Sequence, residues 1–475
     1  MASDAYPYGG SDFEPDAEAM LASPSIVDEA GLSRRDLLKH GVAAVIGGGA
    51  AAIAGGASAA VPQTPPAQAP AVLAGWRPAT AGRRFRALVR YGTSFDVQEL
   101  TLNPIQPRQI VARVEAAQAC YTMVSALNTQ PPVSNAAIFG HGAIGVVEEV
   151  GPLVKRVQPG DRVLIVVTGQ CGECFQCLRG KAANCQAGFN RDNSPAAMMR
   201  DGTPVSGTLG GFAELIVAWE EMTVPIFSKH NAAELSTLSC VAMTGLGMTM
   251  VRAPVEPGSS VVIFGAGPIG LAAIQGSRIM GASQIIAVEP IRYRRDLATK
   301  VGATAVLDPN EFSDSARLIA RIREMTAGQT DRPFAGGRNP MTAGPDFVVE
   351  AVGGERFVPR VERYSREPHG IEALQSVYAV CPAGGVMRTC GVGHPTGSMV
   401  TFAAGTWSNS SKNHVPGNLA GVQMKRDLPQ WTRLFETGQF NGAALVGVAV
   451  PLDRWREAVE AAAYRTAITG IVTFT

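Results

Sequence analysis

Four consecutive apolar residues, Val261-Val262-Ile263-Phe264, run directly into Gly265-Ala266-Gly267-Pro268-Ile269-Gly270, a helical pattern from about Pro268 to Met280, and a second apolar run, Ile285–Val288. Strand, helix and strand within about 30 residues make a βαβ unit, and such units build parallel sheets. The glycine spacing gains meaning from that setting. The first glycine allows a tight turn, the second lets backbone approach a pyrophosphate, and the third lets helix and strand pack closely. Glu289 closes the second strand, 19 residues past Gly270, where a carboxylate accepts hydrogen bonds from an adenosine ribose. It repels a 2′-phosphate, so NAD is expected over NADP, with Arg292, Arg294 and Arg295 close enough to soften the preference. The competing reading is a similar turn that binds no nucleotide.

The rest of the chain divides around this unit. From Phe85 to about Leu246, short alternating apolar runs (Phe85–Arg90, Gln109–Ala116, Ile144–Val150, Arg162–Val167 and Phe212–Val217) are punctuated by glycines and read as a β-rich, barrel-like domain. Further βα units are expected at Ala305–Leu307, Phe347–Val352 and Val386–Gly391. From about Ser411, a helix at Leu428–Thr437 and a strand at Gly470–Phe474 are read as a return to the first domain. Hydrophobic residues are 46% and charged residues 17% of 475, which excludes disordered and collagen-like chains and multi-span membrane proteins. A formal net charge of +1 without a basic run leaves no footprint for nucleic acid, so the expected ligand is a small molecule.

The N-terminal segment belongs to targeting rather than to the fold. Ser33-Arg34-Arg35-Asp36-Leu37-Leu38-Lys39 precedes an Ala/Gly-rich run from Gly41 to Ala60, the form of a twin-arginine export signal, with Ala57-Ser58-Ala59 as the cleavage pattern. Six glycines in that run make a poor membrane-spanning helix, so no stable membrane span is expected. The boundaries follow: signal segment 1–60, Pro/Ala-rich linker 61–82, catalytic domain 83–245 with its return at 411–475, nucleotide-binding domain 246–410. A periplasmic or extracellular location is expected.

Two cysteine patterns carry metal chemistry. Cys171, Cys174, Cys177 and Cys185 lie at x2, x2 and x7 spacing in one loop. Four thiolates without a spare position form a closed structural zinc site; an iron–sulfur cluster or two disulfides are the alternatives, and neighbouring CxxC pairs make disulfides awkward. Cys120, His141 and Cys240 are unremarkable one by one. Their settings are Ala119-Cys120-Tyr121-Thr122, Gly140-His141-Gly142-Ala143-Ile144-Gly145-Val146-Val147 and Ser239-Cys240 before Thr244-Gly245. With Gln158-Pro159-Gly160-Asp161-Arg162-Val163 and the four-cysteine lobe, these segments resemble the zinc-dependent medium-chain alcohol dehydrogenases from about Phe85 to Thr475.

The resemblance implies an α/β chain made of a GroES-like β-rich catalytic domain and a Rossmann doubly wound parallel sheet. It implies a catalytic zinc on Cys120, His141 and Cys240 with its fourth position open, hence two zinc ions per chain, and hydride transfer between an alcohol and NAD. Thr122 matches the hydroxyl residue that takes the substrate proton. Relatives form dimers or tetramers, so a homo-oligomer is expected. Three positions depart from the family pattern: Gly142 replaces a glutamate, Met123 an acidic residue, and Ser125 a relay histidine. Export away from the NAD pool implies a tightly held nucleotide, recycled by a second substrate or an external electron acceptor. A degenerate, non-catalytic binding protein and a zinc-free reductase are the alternative readings. Two Gly-, Pro- or charge-rich stretches, Thr326–Gly344 and Glu355–Gly370, read either as solvated insertions or as a lid or partner contact.

Overall fold

The computed structural model describes residues 75–475 apart from 125–126, 128–132, 187–193, 208–209, 328–343, 356, 417 and 475. Contacts divide the chain into two units, Met1–Ala69 and Pro70–Thr475, and every described residue lies in the second. The export segment, most of the linker, Ser125 and nearly all of 326–344 lie outside the described residues. Among the described residues, no helix is long and apolar enough to cross a membrane.

The first domain is built from β1 (Arg84–Gly92), β2 (Ser94–Leu102), β3 (Gln109–Ala119), β4 (Val133–Ile138), β5 (Ala143–Val150), β6 (Arg162–Ile165), β7 (Ala197–Met198), β8 (Pro204–Ser206), β9 (Leu215–Trp219) and β10 (Thr223–Pro225). Strands β1-β2-β7-β8-β4 close into a barrel. A second sheet runs β10-β6-β5-β3-β18-β17, with β9 also paired to β3; its last two members are β17 (Val448–Pro451) and β18 (Gly470–Thr473). Gly470, Ile471 and Val472 are buried, and the strand they form pairs antiparallel with β3, so the end of the chain completes the sheet that carries Cys120. Apolar area removed from water explains the return: a short strand of this composition is stable only when covered.

The second domain is one parallel sheet, ordered β13-β12-β11-β14-β15-β16. Its strands are β11 (Ser260–Phe264), β12 (Gln284–Val288), β13 (Ala305–Leu307), β14 (Phe347–Glu350), β15 (Val386–Thr389) and β16 (Asn413–Pro416). The strand β16 corrects the sequence reading, which took the chain out of this sheet at about 411. It pairs parallel with β15, and its composition of Asn, His, Val and Pro lacks the apolar run that marks a central strand, as suits a sheet edge. At the carboxyl edge, Glu350 draws two loops together: its carboxylate accepts from the amides of Val352 and Gly353 at 2.7 and 3.0 Å and of Gly391 at 2.9 Å.

The two domains meet through a close helix pair. The helix Val241–Met250 begins at Cys240, and the helix Pro268–Ile279 begins at the glycine turn. A Cβ at Gly245 would lie 2.4 Å from the Ile269 carbonyl oxygen, and one at Gly276 would lie 2.2 Å from Thr249 Oγ1. Small residues on both helices let the backbones approach this closely.

Candidate active site

Each member of the first cluster sits where an element ends. Cys120 follows β3 and its carbonyl accepts from the amides of Met123 and Val124, which turns the chain into the short helix Tyr121–Val124. His141 lies between β4 and β5. Cys240 joins a 3-10 turn at Thr237–Ser239 to the helix Val241–Met250 with an unusual backbone, φ −153° and ψ −77°. Residues 21 and 99 positions apart are thereby gathered so that one ligand atom from each lies within 4.8 Å of the others.

The cluster fits a zinc ion on its own geometry. Cys120 and Cys240 place their sulfurs 3.9 Å apart, against about 3.8 Å for two thiolates at 2.3 Å on a tetrahedral ion. Buried His141 Nε2 has no hydrogen-bond partner among the described residues, the condition of a ligand atom waiting for a metal. Of the two coupled thiols, Cys120 is held well below the usual thiol range by the hydrogen bond from Cys240 and by His141 beside it. Cys240 rises in turn, because its thiol donates the hydrogen bond to Cys120 and is buried. Thr122 Oγ1 donates to Cys120 Sγ at 3.2 Å, which sets its hydroxyl at the edge of the cluster.

The departures from the family pattern have a structural counterpart. Gly142 has φ +65°, and a Cβ there would lie 2.6 Å from Ser239 Oγ. That hydroxyl donates to the Ser236 carbonyl at 2.6 Å and accepts from Gln118 Nε2 at 3.1 Å, so a neutral, buried network fills the volume that a side chain at 142 would enter. Met123 is buried and apolar. Sequence reading passed over Gln118 and gave Ser239 no role, since nothing local marks either as facing position 142.

The four-cysteine lobe is likewise preformed. Sulfur separations are 3.6 Å for Cys171–Cys185, 4.0 Å for Cys171–Cys177 and 4.0 Å for Cys174–Cys185, again near the tetrahedral value. Amides of Glu173 and Cys174 point at Cys171 Sγ, and those of Cys177 and Gln186 lower the Cys174 thiol to about 6. All eight cysteines are unpaired, so the lobe is a thiol cluster rather than a pair of disulfides.

The glycine turn fits a dinucleotide. Gly265 has φ +89°, and a Cβ at Gly270 would sit 1.8 Å from the Gly265 carbonyl oxygen, so neither tolerates a side chain. A Cβ at Gly267, at the N-terminus of the following helix, would meet only Arg294 Nη1, at 3.7 Å. This open cradle, with helix N-terminus below and guanidinium above, suits a pyrophosphate; Pro268 and Ile269 form the first turn beneath it. The Glu289 carboxylate is fixed by the amides of Ala266 (2.7 Å) and Ile291 (3.0 Å). The three arginines behind it separate: Arg292 is exposed, Arg294 is buried beside the turn, and Arg295 bonds the Glu289 and Pro290 carbonyls and pairs with Asp308.

A β-rich domain that carries an incomplete Cys–His–Cys ligand set and packs on a parallel-sheet domain with a glycine turn of dinucleotide-binding form defines a class, the two-domain dehydrogenases that work with a metal. Residues 106–228 match the alcohol dehydrogenase GroES-like domain and residues 268–411 the zinc-binding dehydrogenase domain. Alcohol dehydrogenase 1 of Trifolium repens is 34% identical over 268 residues, covering 53% of this chain and 70% of that one. The S-(hydroxymethyl)glutathione dehydrogenase of Escherichia coli O157:H7 is 34% identical over 240 residues, 48% of this chain and 64% of that one. The chain thus spans about two thirds of the length of the curated relatives it matches. Among solved structures, the benzyl alcohol dehydrogenase of Acinetobacter calcoaceticus superposes with a TM-score of 0.68 at 26% identity, covering 83% of this chain and all of that one. An alcohol dehydrogenase zinc-binding domain protein from Burkholderia ambifaria gives 0.70 at 26%, covering 83% and 99%. The chain belongs to the zinc-dependent medium-chain alcohol dehydrogenase family.

Proposed function

We propose that this protein is an NAD-linked, zinc-dependent alcohol dehydrogenase that interconverts an alcohol and its aldehyde or ketone and keeps its nucleotide tightly bound. The observation that carries the reading is the Cys120–His141–Cys240 cluster, with two sulfurs at tetrahedral spacing and a buried, unpartnered Nε2. A zinc ion held there would polarise an alcohol oxygen, and a nicotinamide dinucleotide held along Gly265–Gly270 would accept the hydride.

The chain's own residues do the rest. Thr122 relays the substrate's hydroxyl proton: its Oγ1, beside Cys120 Sγ at the rim of the ligand set, takes that proton as its own passes outward to solvent. Burial of Cys120 and of the Ser239–Gln118 network limits the water around the ligand set, and this strengthens the electrostatics inside it. Glu289 orients the ribose and disfavours a 2′-phosphate, while Arg294 faces the pyrophosphate. The four-cysteine lobe, Cys171, Cys174, Cys177 and Cys185, would hold a structural zinc. Export by the twin-arginine route, which carries folded proteins, belongs to the same proposal: a nucleotide loaded before export has no pool to exchange with afterwards. A second substrate or an external acceptor then regenerates it, and the working unit is a homo-oligomer.

Elemental analysis of protein purified without chelator tests the metal assignment. Two zinc ions per chain are expected, one for each cluster; Cys120→Ser should remove one and Cys171→Ser the other. One zinc in the parent, unaffected by Cys120→Ser, overturns the catalytic assignment.

A further inference from the structure

The segment that follows β14 carries many exposed side chains, Arg360 and Arg363 among them, yet it is tied into the fold along its length. Its ends meet, with the Glu355 amide donating to the Pro368 carbonyl at 2.6 Å, so residues 355–368 form a closed Ω-like loop. Two anchors hold it. On the catalytic domain, Glu355 pairs with Arg465, both nearly buried, Phe357 packs edge-on against Tyr464 with ring centroids 5.7 Å apart, and the Arg360 amide donates to the Tyr464 carbonyl at 2.9 Å. The Arg360 guanidinium also lies over the Tyr464 ring, 3.5 Å from its centroid. On the nucleotide domain, Arg363 pairs with the buried Asp308 at 3.5 Å, Asn310 Nδ2 donates to the Tyr364 carbonyl at 3.1 Å, and Arg366 Nη2 donates to the Asn310 carbonyl at 3.3 Å.

Sheet order turns these contacts into a path. The loop leaves the carboxyl end of β14 and is held by residues just past the carboxyl end of β13. In the order β13-β12-β11-β14, the ends of β12 and β11, with Glu289 and the Gly265 turn, lie between the loop's start and its anchor past β13. That edge is where ligands sit in open parallel sheets. Tyr293 ties the same region to the catalytic domain, its hydroxyl donating to the Arg465 carbonyl at 2.8 Å.

We propose that residues 355–368 are a strap that closes the adenosine half of the dinucleotide groove and, latched to both domains, makes the nucleotide a resident group rather than an exchanging co-substrate. The inference rests on the nucleotide reading above and adds the structural cause of retention.

The test uses the full chain, charged with NADH and chased with excess NAD, with release followed by nucleotide fluorescence. One variant replaces residues 357–366 by two glycines. A second, Arg360→Ala, changes one exposed side chain and leaves the backbone contacts in place. The parent should keep its nucleotide through gel filtration, and Arg360→Ala should release it about tenfold faster, as loss of a close cation–π contact implies, with the shortened loop faster still. If the parent binds NADH but releases it as fast as both variants, the strap is overturned and the nucleotide reading stands. Tighter binding in the shortened variant overturns the strap as well, making the loop an obstruction. Absence of nucleotide from denatured parent and variants alike, together with failure of all of them to bind added NADH, overturns both.

Discussion

At position 142, the choice of glycine and the placement of Ser239 explain each other. With φ +65° and Ser239 Oγ 2.6 Å from the would-be Cβ, a glutamate cannot enter without displacing a serine that is itself bonded to Ser236 and Gln118. The ligand set is therefore backed by neutral groups, and Met123 adds a buried apolar side chain on the Cys120 helix. On the proposed reading, proton transfer depends on Thr122, whose Oγ1 lies beside Cys120 Sγ. Thr122→Val should lower kcat by about 10²–10⁴ while leaving zinc content and nucleotide binding unchanged, and Thr122→Ser should restore most of the rate. Equal rates for Thr122→Val and the parent on an alcohol panel would remove Thr122 from the mechanism.

Among the elements, the strap carries a pH dependence of definite sign. Burial raises the Glu355 carboxyl above its ordinary range, a shift opposed by Arg465 and, more weakly, by Arg294 from the helix Arg292–Val301, and reinforced by Glu367 on the strap. Its charge is therefore lost at higher pH than that of an ordinary glutamate as the solution is acidified, and the pair with Arg465 is lost with it. Nucleotide release should accelerate on acidification, beginning above the usual glutamate range, and Glu355→Gln should flatten that rise; a parallel pH profile in this variant would assign the effect elsewhere. The elements differ in how plainly the sequence announced them. The βαβ unit was legible because both strands are continuous apolar runs and the turn between them needs glycine. The four-cysteine lobe was legible because its ligands are near neighbours in the chain. Nothing in spacing brings Cys120, His141 and Cys240 together; only resemblance to a family did so, and three separate chain turns accomplish it. The edge strand β16 was missed because an edge needs no apolar run. Arg465 was missed because it lies in a turn with φ +57° and its partner is 110 residues away.

At the scale of the described fold, the Cys120–His141–Cys240 cluster and the glycine turn share one mechanical link. Cys240 begins the helix Val241–Met250, the glycine turn begins the helix Pro268–Ile279, and Gly245 and Gly276 let the two touch at backbone distance. A close-packed contact of this kind fixes the register between the site proposed for the alcohol and the site proposed for its hydride acceptor. The strap adds a second tie at the far end of the groove, between Tyr464–Arg465 and Asp308–Asn310. A molecule closed in this way carries a memory of its last customer. On the proposed reading, deuterium taken from C1 of one alcohol would stay with the protein that took it and be handed to the next aldehyde that enters. Supplied with a deuterated alcohol, a second aldehyde and a large excess of unlabelled NADH in solution, the protein should place the label in the second product undiluted, whereas dilution by the bulk pool would show that the hydride had passed through free solution.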